Sequence, residues 1–343
     1  MMPTFRIGIA GAASPLGGEL KELLAESSFA GAQFLLMDDA EAHGRLDQIG
    51  DEAAVVFALG NDSFDGLDFV FFVGTKEQTQ RWWRVALGSG ATVLDMTGVL
   101  EGEPEAFIHC PWLETAQSEP DLLTRAVVPA HPAALALALL LGRLHAQGLL
   151  RSAAATVLHP ASEFGAAGLD ELHRQTVGLL SFQSVPQELF EAQVGFNQLV
   201  ELGESARVSL LGIERRICQH LFALAPRAEI AVQMVQAPVF HGLCFSVWVE
   251  LTEAIPRAAI EQALSGDHLE RMTEASESPS NLAASAQNHL LIRIRSASGD
   301  DSGAENLRRF WLWAACDNLR FAAQNAVDCA LALRRFRPQG QVQ

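Results

Sequence analysis

The sequence predicts an α/β protein of two domains, because the spacing of its apolar residues changes along the chain. Up to about residue 130, short apolar strands alternate with helices, the pattern of a doubly wound parallel sheet. From about residue 151, strands that alternate apolar and polar residues indicate an α+β domain whose sheet has one exposed face. The 343 residues are enough for two hydrophobic cores.

The elements of the first domain follow one another in order. Residues 6–10 form the continuous apolar run of a buried strand, and leucines at helical spacing follow over residues 18–27. A long extended segment then ends at Pro129 and runs into an apolar helix. The remaining predicted elements are strands at 33–37, 54–58, 69–73 and 92–94, a helix at 78–87, and that apolar helix at 134–144.

The second domain contains strands with a period of two. Residues 304–333 show apolar residues at helical spacing, begin acidic at Glu305 and end basic at Arg334, which predicts one long closing helix. We place this helix in the first domain, so the predicted domains are residues 1–130 with 305–343, and residues 131–304. The other predicted elements are strands at 152–158, 229–238, 243–251 and 290–295, helices at 166–180 and 256–264, and a mobile loop at 273–288.

Composition indicates an ordinary acidic globular protein. The chain is 49% hydrophobic and 19% charged, with a net charge of −17. That charge argues against nucleic acids and anionic membrane surfaces as partners, since both need clustered lysine and arginine. The five cysteines show no Cys-x-x-Cys spacing, which argues against a disulfide framework or a zinc site. The N-terminus lacks the apolar core of a signal peptide, so we expect a cytoplasmic protein.

A degraded dinucleotide-binding turn follows the first strand, and it makes the first domain Rossmann-like. Gly11 suits the tight turn, and Gly17 allows the helix to pack closely on the strand. Ser14 replaces the middle glycine, where space for the pyrophosphate matters most, and Pro15 removes a backbone N–H. We assign cofactor binding to Gly11, Ser14, Pro15, Leu16 and Gly17, with three alternatives open: good dinucleotide binding, weak binding, or a turn that binds nothing.

Asp38 ends the second strand in Met37-Asp38-Asp39-Ala40-Glu41. A carboxylate there can bond a ribose 2′-hydroxyl and would repel a 2′-phosphate. NAD is therefore favoured over NADP if a cofactor binds, and no cofactor is certain. A solvated acidic loop is the alternative.

Several ordered motifs resemble those of the aspartate-semialdehyde dehydrogenases. They span nearly the whole chain and imply that family's Rossmann-like domain, its dimerisation domain and a homodimer. The motifs are Gly11-Ala12-Ala13-Ser14-Pro15-Leu16-Gly17, the stretch from Ala161 to Leu172, Gln193-Val194-Gly195-Phe196-Asn197, Ala237-Pro238-Val239-Phe240-x-Gly242, Arg293-Ile294-Arg295 and Asp317-Asn318-Leu319-Arg320.

The chemical positions of that family differ here. The resemblance places the nucleophilic cysteine at His131 and the acid/base histidine at Leu243. It places the substrate-binding arginine at Gln236, the phosphate-binding arginine at Glu101, and a glutamine at His159. A substrate segment falls near residues 206–209, and the closing helix is one residue short around 321–325. We therefore assign no catalytic and no metal residue, and the chain resembles the family's non-catalytic USG-type branch.

Two other interpretations of these positions remain open. His131, His159 and Cys244 would form a zinc site with one open position if they faced one cavity. His131 would otherwise act as a base in an NAD-dependent oxidoreductase acting on an aldehyde by altered chemistry. The main hypothesis differs from both: the chain forms a non-enzymatic homodimer that binds a small-molecule or dinucleotide ligand, or a protein partner. We read Trp311 and Trp313 as packing residues.

Overall fold

The computed structural model describes residues 5–113, 120–225, 230–273, 277–297 and 306–336. The chain divides into two compact units, Met1–Ala130 with Ala322–Gln343, and His131–Phe321. Each unit contains one β-sheet. The predicted fold class, a doubly wound domain and an α+β domain with a C-terminal helix that returns to the first, is confirmed.

The first unit contains an eight-stranded sheet with the order β3-β4-β2-β1-β5-β6-β8-β7. All neighbouring strands are parallel except β3 and β4, which form an antiparallel edge hairpin. Its elements are β1 (Arg6–Ala10), α1 (Pro15–Glu26), β2 (Gln33–Asp38), β3 (Leu46–Ile49), β4 (Glu52–Ala58), β5 (Phe69–Phe72), α2 (Lys76–Gly88), β6 (Thr92–Asp95), β7 (Ala106–His109) and β8 (Ala126–Pro129).

The second unit contains a mixed six-stranded sheet with the order β10-β9-β11-β14-β13-β12. The outer pairs β10–β9 and β12–β13 are parallel and the inner pairs antiparallel. Its elements are α3 (Pro132–Ala146), β9 (Leu150–His159), α4 (Gly165–Leu180), α5 (Leu210–Leu224), β10 (Ile230–Gln236), β11 (Leu243–Ile255), α6 (Arg257–Ala263), β12 (Leu269–Arg271), β13 (Leu290–Ser296) and β14 (Leu307–Cys316).

The last helix, α7 (Asn318–Arg334), begins in the second unit and continues in the first. Its apolar residues complete the core formed by Ile7 and Ile9 of β1 and by leucines of α1. Close packing of this kind excludes water from the strands of a parallel sheet, which need cover on both faces. The core residues contributed by α7 are Ala323, Ala326, Val327, Cys329, Ala330 and Leu333.

The two faces of the second sheet differ in exposure. Phe245, Val247 and Leu312 lie on one face and are fully buried or nearly so. On the other face Trp248 of β11 lies directly opposite Trp311 of β14, and Trp311 is 44% exposed. Ala154 of β9 lies beside Trp248 and is also exposed. An apolar sheet face open to solvent is a common feature of a protein–protein interface.

The prediction of one helix over residues 304–333 is wrong in its first half. Residues 307–316 form β14, and only residues 318–334 are helical. Phe310 and Leu312 point inward while Arg309 and Trp311 point outward, which is the period of a strand. Trp311 and Trp313 therefore lie on a strand, and Glu305 lies outside the described residues.

Sequence patterns missed β3, β7, β12 and α5, whereas the other predicted strands and helices are present with ends shifted by a few residues. The predicted loop at 273–288 contains no helix or strand in its described part, and residues 274–276 lie outside that part. No helix within the described part of the chain is long and apolar enough to cross a membrane.

Candidate functional site

His131 lies at the junction predicted from sequence, between β8 and α3. It is the N-cap of α3, and its Nδ1 accepts a hydrogen bond from the backbone N–H of Ala133 at 3.2 Å. Its own backbone N–H donates to Nδ1 of His220 on α5 at 2.9 Å. His131 is only 4% exposed. The capping bond requires an unprotonated Nδ1, so a neutral His131 carries its proton on Nε2.

Glu163 meets His131 at that second nitrogen. Its Oε2 lies 3.2 Å from Nε2 of His131 and 3.9 Å from Nε2 of His159. The other oxygen accepts a hydrogen bond from Nδ2 of Asn318 at 2.7 Å. Glu163 belongs to a 3-10 turn, Ala161–Phe164, that leads from β9 into α4. Both ring nitrogens of His131 are thus engaged, one by its own helix and the other by Glu163.

The protonation states of this cluster follow from burial and from its hydrogen bonds. Burial raises the pKa of Glu163, but the bond from His131, the nearby His159 and the bond from Asn318 together lower the pKa further, to about 2. Burial lowers the pKa of His159 to about 4, although Glu163 opposes that shift. At neutral pH the cluster therefore holds an ionised Glu163 beside a neutral His159.

Gln236 lies at the end of β10, directly opposite His159 of β9. Its Nε2 donates to the carbonyl oxygens of His159 at 3.1 Å and Ala237 at 3.0 Å. Its Oε1 and both ring nitrogens of His159 are buried and have no well-formed hydrogen bond within the described residues. His131, His159 and Gln236 come together, as the resemblance implies, in a buried cluster that also contains Glu163.

The zinc hypothesis for His131, His159 and Cys244 is wrong. Cys244 pairs with Leu158, so its side chain lies on the sheet face opposite that of His159. It packs against Ala315 and Leu291, and burial raises the pKa of its thiol to about 11. Among residues 5–336 that the structure describes, no group of three or more histidine, cysteine, aspartate or glutamate side chains is arranged to hold a metal ion.

Leu243, at the position that the resemblance gives to the acid/base histidine, is fully buried at the start of β11. A histidine does lie two residues earlier. Nε2 of His241 lies 2.8 Å from Oδ1 of Asp317, and Nδ1 lies 3.2 Å from Oγ of Ser162. Sequence reasoning passed over His241, although it stands beside the retained Gly242.

The turn predicted to bind a dinucleotide uses most of its own polar groups. Oγ of Ser14 accepts from the N–H of Gly17 at 2.9 Å and donates to the carbonyl of Val73 at 2.8 Å. Pro15 is the first residue of α1 and has no N–H, and Leu16 beside it packs against the core. The backbone of Gly11 has a φ of +91°, as the tight turn requires.

Asp38 accepts hydrogen bonds from this turn and from residues next to it. Its Oδ2 accepts from the N–H of Ala13 at 2.9 Å. Its Oδ1 accepts from Nε2 of Gln78 at 2.8 Å and from the N–H of Asp39 at 2.9 Å. A carboxylate with three donors has little capacity left for a ribose hydroxyl.

The two remaining predicted positions lie outside this cluster. Glu101 belongs to a 3-10 turn of the first unit, Val99–Gly102, and is partly exposed. Residues 206–209 form an irregular segment that precedes α5, where Ser209 caps the helix by accepting from the N–H of Gly212.

Comparison with known proteins gives this geometry a context. A sequence profile described as "Semialdehyde dehydrogenase, dimerisation domain" matches residues 141–321, which is more than half of the chain. The chain belongs to the semialdehyde dehydrogenase family. The profile covers most of the second unit, including α4, α5 and the six-stranded sheet with its exposed face.

Curated relatives extend the likeness over the whole chain. A USG-1 protein homolog of Azotobacter vinelandii is 28% identical over 338 residues, which cover 96% of this chain and 98% of that protein. An aspartate-semialdehyde dehydrogenase of Rickettsia bellii is 23% identical over 337 residues, covering 96% and 98%. The resemblance to aspartate-semialdehyde dehydrogenases and to their USG-type branch is therefore confirmed.

Solved structures of semialdehyde dehydrogenases share the fold. A probable aspartate-semialdehyde dehydrogenase from Pseudomonas aeruginosa has a TM-score of 0.85 and 26% identity, covering 97% of this chain and 99% of that chain. The aspartate semialdehyde dehydrogenase II of Vibrio cholerae has a TM-score of 0.82 at 22% identity, with 97% of this chain and 99% of that chain covered. At that identity the second likeness concerns the fold alone.

Proposed function

We propose that this chain is a semialdehyde dehydrogenase family member that does not catalyse dehydrogenation, and that it acts as a cytoplasmic homodimer with a binding role. The observation that carries the proposal is the state of His131. Its Nδ1 caps α3 and its Nε2 faces the buried Glu163 at 3.2 Å. A residue with both nitrogens engaged and 4% exposure is poorly suited to attack an aldehyde or to shuttle its protons.

The other family positions support the same proposal. Thioacyl chemistry needs a proton carrier near the nucleophile, and Leu243 carries no proton. Binding of a substrate carboxylate needs a fixed guanidinium, whereas Gln236 uses its amide N–H groups on backbone carbonyls. Because its pKa is lowered to about 2, Glu163 is ionised at neutral pH. Its negative charge beside His131 would repel an anionic substrate.

We also propose that the first unit binds NAD only weakly, and NADP more weakly still. Pyrophosphate is normally held by backbone N–H groups at the start of the helix. Here the N–H of Gly17 is taken by Ser14 and that of Ala13 by Asp38, and Pro15 has none. The acidic residues after β2 oppose a 2′-phosphate.

The homodimer is proposed to form through the exposed face of the second sheet. Trp248 and Trp311 lie opposite each other there, next to the small side chain of Ala154. Aromatic residues beside small ones favour close packing of a second sheet against this face. The family's dimerisation domain matches this part of the chain.

The decisive experiment is an assay of the purified full-length protein with aspartate semialdehyde, phosphate and either NAD or NADP. We expect no reduced cofactor above background, with the Vibrio cholerae enzyme as positive control. A turnover above about 1 s⁻¹, the low end for typical enzymes, would contradict the proposal. Calorimetry with NAD and NADP then tests the alternative of an NAD-dependent oxidoreductase with altered chemistry. An absence of heat at millimolar NAD excludes that alternative.

A further inference from the structure

A chain of hydrogen bonds links buried Glu163 to half-exposed His241 in the second unit. It passes through Asn318 and Ser162, which are buried, and ends at Asp317. The distances along it are 2.7 Å from Asn318 to Glu163, 3.1 Å from Ser162 to Asn318, 3.2 Å from His241 to Ser162 and 2.8 Å from His241 to Asp317. Carboxylates therefore stand at both ends of one continuous chain.

The direction of the first link is fixed by the backbone. Oδ1 of Asn318 accepts from the N–H of Gly242 at 2.9 Å, and an N–H group only donates. The amide nitrogen of Asn318 must then be the atom that donates to Glu163. This orientation agrees with the lowered pKa of Glu163, whose carboxylate is ionised and accepts.

The direction of the second link follows from the first. Oγ of Ser162 lies 3.1 Å from Oδ1 of Asn318, which has no proton to give. Ser162 must therefore donate its only hydroxyl proton to Asn318. The oxygen of Ser162 therefore faces His241 with a lone pair, which accepts a hydrogen bond.

We infer that His241 is held as a doubly protonated imidazolium, and that it forms a proton-binding site linked to buried Glu163. Nδ1 must donate to the lone pair of Ser162, and Nε2 must donate to the carboxylate of Asp317. Every link of the chain is satisfied only when His241 carries both protons. A neutral His241 would leave Nδ1 and Oδ1 of Asn318 competing for the one proton of Ser162.

The charges around His241 support the extra proton. Asp317 also accepts from the backbone N–H groups of Ala286 and Arg320. Burial raises the pKa of Asp317, but His241 and these two bonds outweigh that effect, and the pKa is lowered overall. Nε of Arg320 donates to Oδ1 of Asn288 at 2.6 Å. Nδ2 of Asn281 donates to the carbonyl oxygen of His241 at 3.2 Å. The charged groups in the chain thus include Asp317, in direct contact with His241, and Glu163, which is linked to it through the neutral side chains of Ser162 and Asn318.

The site couples solvent pH to the buried cluster. The side chain of His241 is 30% exposed and exchanges its proton with water, whereas Glu163 is almost enclosed. When pH rises and Nδ1 loses its proton, the hydroxyl of Ser162 is drawn toward His241 and away from Asn318. Asn318 then holds Glu163 less firmly, and the environment of His131 changes with it. The protonated state is the stabilised one, so this stabilisation is present at low pH and is lost as pH rises.

Nuclear magnetic resonance of the full-length protein with ¹⁵N-labelled histidine tests the inference. We expect both ring nitrogens of His241 to be protonated at pH 7.5, with the signals assigned by their absence in His241→Gln. Ser162→Ala and Asp317→Asn should each lower the pH at which His241 becomes neutral by at least one unit. Exposed His173 serves as an internal reference that these two variants leave unchanged.

The wild-type measurement alone is decisive, so a variant that fails to fold leaves the test intact. A single protonated nitrogen on His241 at pH 7.5 would overturn the inference. The ring signals of His131 should shift at the same pH as those of His241 in the wild type and stop doing so in Ser162→Ala. A His131 ring that does not respond would overturn the coupling to Glu163.

Discussion

Gly11 and Gly74 bring the ends of β1 and β5 into direct backbone contact in the first unit. A Cβ atom built on Gly11 would lie 2.2 Å from Cα of Gly74, and one on Gly74 would lie 1.8 Å from Oε1 of Gln78. A side chain at Gly11 would force the two strand ends apart, and one at Gly74 would displace the side chain of Gln78 and crowd Cα of Gly11. The turn and the loop that it touches therefore depend on glycine for space, and Gly11 also for its positive φ.

Gly11→Ala should lower the free energy of unfolding by about 2 kcal/mol or more, because it combines a backbone clash with strain at positive φ. Gly18→Ala is the matched control. It lies within α1 with nothing within 4 Å of an added Cβ, so it should stabilise the helix by about 0.5–1 kcal/mol. Urea denaturation measures both values. Similar stability in the two variants would refute the close approach.

Replacement of His131 should separate its two contacts. His131→Asn keeps an acceptor for the N–H of Ala133 but removes the donor to Glu163. His131→Ala removes both, and should be less stable than His131→Asn by about 1 kcal/mol, the usual value of a helix N-cap. Chemical denaturation of the two variants side by side gives this difference. Equal stabilities would mean that His131 does not cap α3.

Glu163 should contribute stability that disappears in acid. Its pKa falls from an ordinary 4.5 to about 2 on folding, because the bonds from His131 and Asn318 outweigh burial. The contribution is present above pH 4.5 and is lost as pH falls toward 2, with a magnitude on the order of 3 kcal/mol. Stability measured from pH 7 to pH 2 should fall less steeply in Glu163→Gln than in wild type. Glu103→Gln, at an exposed ion pair with Arg84 in the first unit, should keep the wild-type slope.

Opening the turn of the first unit should strengthen NAD binding. Ser14→Gly with Pro15→Ala frees the N–H of Gly17 and adds another N–H at the start of α1. One new hydrogen bond to a phosphate should tighten the dissociation constant about tenfold. Calorimetry with NAD compares this double variant with wild type. Unchanged affinity would show that pyrophosphate does not approach this turn.

A charge on the exposed face of the second sheet should break the homodimer. Trp311→Asp places a carboxylate opposite Trp248, where burial against a partner would leave it unpaired. Sedimentation at micromolar concentration should then show a monomer. Leu46→Asp, an equally drastic change at an exposed residue of β3, should remain a dimer. A dimeric Trp311→Asp protein would place the interface elsewhere.

Most of the fold was predictable because buried strands of a parallel sheet are apolar throughout. Phe69–Phe72 is buried at every position, and such a run has few alternatives. Residues 307–316 were misassigned because Phe310, Trp311, Leu312 and Trp313 fit helical and strand periods alike. Helix α5 was missed because charged residues at 214–216 interrupt its apolar pattern.

The site was predictable only as a set of positions. The order of the motifs predicted that His131, His159 and Gln236 lie close together. It did not predict a role for Glu163, because the spacing of residues along the sequence does not reveal a contact between side chains 32 residues apart. The face occupied by Cys244 depends on the register of β11 with β9, which no local pattern reveals. His241 and Asp317 are 76 residues apart and meet only in the folded second unit.

Helix α7 has a consequence for how the chain reaches its native state. Residues 323–333 complete the core that begins with Ile7 and Ile9, although more than 300 residues separate them along the chain. During synthesis, the first 130 residues therefore leave the ribosome with part of their apolar core uncovered. The second unit contains all the strands of its own sheet before α7 emerges. The first unit is therefore synthesised before the second, but its hydrophobic core is completed only after all strands of the second sheet have been made.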